Sequence, residues 1–194
     1  MSIRVTRRTL QNSVAIAGIL VAASSLAGCS TFGLGGADST VTGSTGYQGT
    51  SNLNQQMPPS LGQYSQPHTL AWAEKIRSFD GFVFVTPEYN HSTSGALKNA
   101  IDFLYAEWHN KAAGFVSYGA AGGTRAVEHL RLVMGELQVA DVRAQVSLSL
   151  ITDFVNFSQF NPAPHQAPAV TAMLDQVIAW STALSGLRVP AAAV

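Results

Sequence analysis

Four apolar residues, Phe82-Val83-Phe84-Val85, follow one another without alternation, the pattern of a strand buried on both faces of a parallel sheet. Comparable runs at Gly114–Tyr118 and Val142–Leu150 predict two further strands. Between and around them the apolar spacing changes to three and four residues, the period of a helix with one buried face. Thr69–Ser78 reads as a short helix with Leu70, Trp72, Ala73 and Ile76 inward. A helix opening at Gly95 aligns Leu97, Ile101 and Leu104, and one after Thr124 aligns Val127, Leu130, Val133, Met134 and Leu137. The last, from about Pro168 to Leu184, carries Val170, Met173, Leu174, Val177 and Ile178 as its stripe. Asp153 to Gln166 is polar and proline-rich and reads as a connection. The order αβαβαβα from Thr69 onward predicts a parallel sheet with right-handed crossovers and helices on its faces.

Ahead of Met57 this rhythm stops. Residues 30–56 are rich in Gly, Ser and Thr and hold few large apolar groups at any regular spacing, so they predict a disordered, flexible tether. Gly33, Gly35 and Gly36 lack the preceding strand and following helix that a phosphate-cradling loop needs. Further upstream, Arg4, Arg7 and Arg8 precede an apolar run from Val14 to Leu26, which is of signal-peptide length and short for a membrane span. The run ends in Leu26-Ala27-Gly28-Cys29, which resembles the bacterial lipobox. That resemblance implies cleavage before Cys29 and lipid on its thiol. The expected division is a signal peptide at 1–28, a tether at 29–56, a domain at 57–188 and a tail at 189–194. The protein would then be membrane-anchored and extracytoplasmic. The alternative is a buried apolar segment that happens to contain a cysteine, in a cytoplasmic protein.

Composition narrows the classes. The chain has 194 residues, 46% hydrophobic and 11% charged, which suffices for one domain with a core. A formal net charge of zero argues against a nucleic-acid surface, which needs clustered Lys and Arg. Cys29 is the sole cysteine, which excludes an internal disulfide framework and a cysteine-based zinc site. The five histidines show no pairing that suggests a metal site, and Trp72, Trp108 and Trp180 read as packing residues.

In open parallel sheets, ligands bind where loops leave the carboxyl ends of the strands. Two loops fit: Pro87 to Ser94 after the first predicted strand, and Gly119 to Gly123 after the second. Pro87 stiffens its exit, Tyr89 offers an aromatic wall and Asn90 tolerates unusual turn dihedrals. The glycines let the backbone approach a planar ligand. Both loops lead into helix N-termini, whose amides favour anionic or electron-rich groups.

Thr86-Pro87-Glu88-Tyr89-Asn90-His91-Ser92, followed by Gly95-Ala96-Leu97-Lys98-Asn99-Ala100-Ile101-Asp102, resembles the signature of the NADPH-dependent FMN reductase family. Ser117-Tyr118-Gly119-Ala120-Ala121-Gly122-Gly123 is similar to that family's second loop; Ser94 stands where the family often has proline. The resemblance implies a flavodoxin-like fold. It implies that Pro87, Glu88, Tyr89 and Asn90 line the FMN ring, largely through backbone groups, with Ser117, Gly119, Gly122 and Gly123 facing them. NADPH would supply hydride, and a flavin, quinone or azo compound would accept electrons. No side chain would serve as general acid or nucleophile. Lys98, Asn99 and Asp102 would anchor their helix and contact another subunit in a homo-oligomer. Arg125 and Arg131 read as a solvated helix face.

The family's opening strand, phosphate loop and second strand have no counterpart in this reading, which places a leader and a tether there. The strand at Phe82–Val85 is therefore expected to form a sheet edge, covered by another chain or by Val14–Leu26 or the tether. Two readings stand at this point: a flavin-dependent oxidoreductase, and a non-catalytic, membrane-anchored lipoprotein with weak or no FMN binding.

Overall fold

The computed structural model describes residues 19–23 and 57–188; Cys29, the tether and the tail lie outside the described residues. Strands β1 (Ile19–Ala23), β2 (Gly81–Pro87), β3 (Ala112–Gly119) and β4 (Ala140–Ser149) lie side by side in that order, every neighbouring pair parallel. Helices α1 (Pro67–Arg77), α2 (Gly95–Asp102), α3 (Thr124–Glu136) and α4 (Gln166–Ala183) connect or follow the strands. The α/β architecture expected from the sequence is present.

The unalternated runs are strands because both of their faces are covered. Phe82, Phe84 and Phe115 point into a cluster with Ile76 of α1, Leu97 and Ile101 of α2, and Leu130 and Met134 of α3. Val83, Val142 and Val146 point the other way, onto Met173 and Val177 of α4. Gly114 lets α4 come this close: a Cβ there would lie 2.9 Å from both Met173 Cγ and Val177 Cγ2. Trp108, in the short 3-10 turn after α2, is buried against Phe82 and donates its indole N–H to the Ile101 carbonyl.

The Phe82–Val85 edge is covered from within Val14–Leu26, one of the expected ways: β1 pairs with it from Ile19↔Gly81 to Ala23↔Val85. Four details differ from expectation. The apolar run assigned to a leader is thus a strand over these five residues. Short apolar runs suit a signal peptide and a buried strand equally, and only the unpaired backbone of β2 distinguishes them. Leu70 is 51% exposed, since α1 turns Thr69, Ala73 and Ile76 inward instead. Trp180 is 49% exposed on the outer side of α4 and does not serve as packing. Finally, the connection from Asp153 contains an antiparallel hairpin of two short strands, β5 (Phe154–Val155) and β6 (Gln159–Phe160).

Candidate functional site

The loops after β2, β3 and β4 all leave the carboxyl edge of the sheet, and each is bonded to the next. The Glu88 N–H donates to the Tyr118 carbonyl (3.0 Å), extending the β2–β3 ladder past Pro87. The Leu150 N–H, beyond β4, donates to the Gly119 carbonyl (3.1 Å). The two strands come close here: a Cβ on Gly119 would lie a tight 3.3 Å from that of Glu88. Ala23, the last residue of β1, pairs with Val85, so the chain leaves β1 on this same edge.

The first loop is a miniature hairpin. Tyr89 and Ser92 exchange backbone hydrogen bonds, each 2.9 Å long, around Asn90 (φ 47°) and His91 (φ 72°). Two consecutive positive φ values make this a two-residue turn of the I′ kind, which Asn accepts readily. The His91 conformation had no signal in the sequence beyond its neighbour. Thr86 Oγ1 and Thr93 Oγ1 lie 2.8 Å apart and close the base of the loop, and Ser92 Oγ lies 2.9 Å from Nδ1 of His129 on α3. Tyr89 stands 43% exposed at the rim. Burial raises the Tyr118 phenol pKa above its ordinary value, and the Tyr89 phenol beside it adds to the shift.

Glu88 does something the sequence did not signal. Its carboxylate accepts from the Arg125 N–H (3.1 Å) and Arg125 Nε (2.6 Å), and pairs with Arg125 Nη2 as well. Hydrogen bonds from Arg125 hold its pKa below the ordinary carboxylate value against the opposing effect of burial. Arg125 is therefore not simply a solvated side chain, and the first turn of α3 is capped from the neighbouring loop. At α2, Ser94 Oγ accepts from the Leu97 N–H (3.2 Å). Both helix N-termini expected to face a ligand are thus at least partly satisfied by the protein itself.

Ser117 and the glycines are likewise turned on their own loop. Ser117 is fully buried and donates its hydroxyl to the Gly122 carbonyl (2.7 Å). Gly122 (φ 70°) and Gly123 (φ 71°) adopt the left-handed conformation, and a Cβ on Gly123 would lie 2.7 Å from Ser117 Cβ and from the Tyr118 nitrogen. Seven of the eight residues predicted to line the site sit on these two joined loops, and Ser117 lies in β3 just before the second. Their side chains, Tyr89 apart, mostly organise the loops. What remains for a ligand is main chain: the amides of Asn90, His91, Ala120 and Ala121 donate to no acceptor among the described residues. An aromatic wall with glycine-lined backbone beside it fits the edge of a flat heteroaromatic ring such as that of FMN. The guanidinium of Arg125, in the first turn of α3, is engaged by Glu88, and the chain that follows β1 lies outside the described residues.

Asp153, which no sequence pattern singles out, is buried at the root of the β5–β6 hairpin. Its carboxylate accepts from the Ser149 N–H (2.9 Å), the Ala163 N–H (2.9 Å), Thr152 Oγ1 (3.0 Å) and Gln166 Nε2 (3.1 Å). Burial acts to raise its pKa, and these donors more than offset it. A surface depression of about 740 Å³ lies elsewhere, between α2 and α3, lined by Lys98, Asp102, Tyr105, Leu132 and Glu136 among others. Lys98 and Asp102 form an ion pair there (2.6 Å).

Parallel strands, flanking helices and paired loops at the carboxyl edge define a flavodoxin-like α/β protein. The model of the family "NADPH-dependent FMN reductase" matches residues 12–153, and the chain belongs to that family. The match includes the apolar run assigned to a leader. Among curated proteins the chain is similar to the NAD(P)H-dependent FMN reductase ntnL of Nectria sp, 39% identical over 109 residues, covering 54% of this chain and 53% of that protein. It is also similar to the quinone reductase of Escherichia coli (strain K12), 47% identical over 70 residues, covering 33% of this chain and 37% of that one. The chain spans about half the length of the first of these relatives, or less in the second. Among solved structures, the flavoenzyme NAD(P)H:(acceptor) oxidoreductase FerB from Paracoccus denitrificans shares the fold, with a TM-score of 0.51 at 20% identity over 66% of this chain and 77% of that one.

Proposed function

We propose that this chain is an FMN-dependent oxidoreductase that takes electrons from NADPH and delivers them to a small acceptor such as a quinone, a flavin or an azo compound. The observation that carries the reading is the pair of loops joined through Glu88 and Gly119 at the carboxyl edge, with donors left on the main chain. Family membership and the named activities of the relatives support it. FMN, when bound, supplies reversible two-electron chemistry: NADPH leaves as NADP⁺, and the acceptor gains two electrons and takes up protons.

The residues' own tasks are placement and exclusion of water. Tyr89 would wall one side of the ring, next to Pro87 and the Asn90 turn. Gly119, Gly122 and Gly123 keep the facing backbone close, Ser117 locks that backbone, and Glu88 joins both loops to α3. The amides of Asn90, His91, Ala120 and Ala121, which have no acceptor among the described residues, are suited to the polar edge of the ring. Lys98, Asp102 and the exposed Leu132 support a subunit contact at the α2–α3 depression.

The test is titration of the full chain with FMN, followed by NADPH oxidation with a quinone present. Flavin uptake with FMN-dependent turnover is the expected result. A chain that gains no flavin absorbance and leaves NADPH untouched overturns the reading.

A second reading is favoured by Leu26-Ala27-Gly28-Cys29: a lipoprotein anchored at a membrane surface through Cys29, with little or no FMN binding. Cleavage before Cys29 would remove β1, so a lipidated Cys29 and a retained β1 exclude each other. Labelling with a radioactive fatty acid in a bacterial host decides between them, and absence of label on Cys29 removes the anchor.

A further inference from the structure

The β5–β6 hairpin presents apolar side chains to solvent on an unusually well-fixed support. Phe157 is 70% exposed, Phe160 57%, Val155 43% and Ile151, just before the hairpin, 73%. Asn156 (φ 52°) and Phe157 (φ 56°) form its turn, closed by the Ser158 N–H donating to the Val155 carbonyl (3.2 Å). A bulky aromatic residue in the left-handed region is conformationally costly, and such costs cluster at functional sites. The root is fixed twice. Asp153 gathers its four donors there, and the Asn161 N–H returns to the Asp153 carbonyl (2.9 Å). Inside the hairpin, Phe160 pairs with Phe154 at 5.5 Å, and Phe154 packs on the α4-side core.

The location gives these rings a task. Leu150, at the head of the segment, is bonded to the Gly119 carbonyl, so the segment that leads into the hairpin starts against the loop that would face the flavin. Aromatic side chains bury roughly 150–250 Å² each, which puts the exposed apolar area on the order of 400 Å². That is about half the ~800 Å² per partner that a stable protein interface needs. It lies within the ~300–600 Å² typical of functional patches on monomers, and it suits a flat two-ring molecule.

We propose that the Phe154–Phe160 hairpin is the acceptor platform of this chain, on which an apolar planar acceptor of the quinone class stacks against Phe157 and Phe160. The proposal rests on the oxidoreductase reading for its place in turnover, and on the hairpin alone for binding. It makes Phe157 and Phe160 specificity-determining residues, with Asp153 as the group that positions them.

The experiment is equilibrium dialysis of radiolabelled menadione against the full chain, with and without FMN, for the wild type and for Phe157→Asn combined with Phe160→Ser. Asn accepts the positive φ at position 157 better than Phe does, so the double variant keeps its turn, and thermal unfolding checks that it folds. The expected result is menadione binding by the wild type and a loss of tenfold or more in affinity in the variant, with FMN affinity within twofold. Menadione affinity unchanged within twofold, or no binding by the wild type, overturns the proposal. So does a variant that becomes monomeric in sedimentation while its menadione affinity is unchanged, which would make the hairpin a subunit contact. Hairpin-dependent menadione binding by a chain that takes up no FMN upholds the platform while refuting the reductase reading.

Discussion

Glu88 and Arg125 stand 37 positions apart in the chain, yet one carboxylate receives both the main-chain N–H and the guanidinium of the other residue. The contact closes α3 from the loop after β2, so its loss is felt in two elements at once. Glu88→Gln is expected to destabilise the fold by about 1–2 kcal/mol at neutral pH, the scale of a lost cap and charge-assisted hydrogen bond. The sign with pH follows from the lowered pKa. The contribution is complete above the ordinary carboxylate range and disappears as pH falls through the folded-state value. Urea unfolding at neutral pH and at about pH 3 checks this, with the gap between wild type and variant narrowing at the lower pH.

Gly123 and Gly95 make opposite demands. Ala at Gly123 places a Cβ 2.7 Å from two atoms in a left-handed backbone, which is expected to cost about 1–3 kcal/mol and to loosen the second loop. Ala at Gly95 meets nothing within 4 Å at the first position of α2 and is expected to stabilise by about 0.4–1 kcal/mol. Thermal melts of the two single variants, read side by side, test the contrast.

Lys111 provides an alkaline signature. Its ammonium is buried, donates to the carbonyls of Ile76 (2.6 Å) and Arg77 (3.4 Å), and lies 5.5 Å from the centre of the Phe82 ring. Burial lowers its pKa from 10.5 to about 8, with the Arg188 charge adding to the effect. Between those values the unfolded chain binds more protons at this group than the folded one, so this group makes stability rise with pH. Tyr64, whose phenol is raised by burial and by Glu107, opposes the trend above about pH 10, because only the unfolded chain then loses its proton. Denaturant midpoints measured from about pH 7.5 to 9.5 should climb for the wild type and stay level for Lys111→Met.

β1 covers one side of β2, so a chain that starts at Cys29 leaves the backbone of Phe82–Val85 paired only with β3. An unpaired apolar edge invites association between chains. That shortened form is expected to melt at a lower temperature than the full chain and to elute as aggregate in size-exclusion chromatography. Equal melting and a monodisperse peak for both would show that β1 contributes nothing to the sheet.

Asp153→Ala leaves two backbone amides and two side-chain donors without their acceptor at the hairpin root. The expected cost is about 2–4 kcal/mol. Proteolysis should move to residues 154–160 in the variant and spare them in the wild type, as mass spectrometry of the fragments would report.

The order of strands and helices was legible because burial on two faces leaves an unbroken apolar run, while one-sided burial leaves a helical stripe. Phe82–Val85 and the Leu97–Ile101 pair each have one structural solution. Ile19–Ala23 does not: its composition suits a cleaved leader or a strand, and the deciding fact is the unpaired side of β2, a property of distant residues. The outward position of Leu70 is not legible, because its helix is short and Thr69, Ala73 and Ile76 form an equally good stripe. The hairpin at Phe154–Phe160 leaves no mark in the sequence, because two-residue strands have no periodicity and its turn uses Asn-Phe rather than Asn-Gly. The two loops themselves were readable, since turn-forming residues at strand ends are local signals. The inward use of Glu88 and Ser117 was not, because it depends on where Arg125 and Gly122 arrive in space.

The Gly119 carbonyl accepts from Gly122 within its own turn and from Leu150 across to the next loop. With Glu88 bonded to Tyr118 on the other side, three loops are hinged on one short stretch of main chain. They cannot open separately without breaking a shared bond. Amide exchange at Glu88, Gly122 and Leu150 should therefore fall in one kinetic class, and entry and exit of any guest at this edge would be set by a single concerted motion.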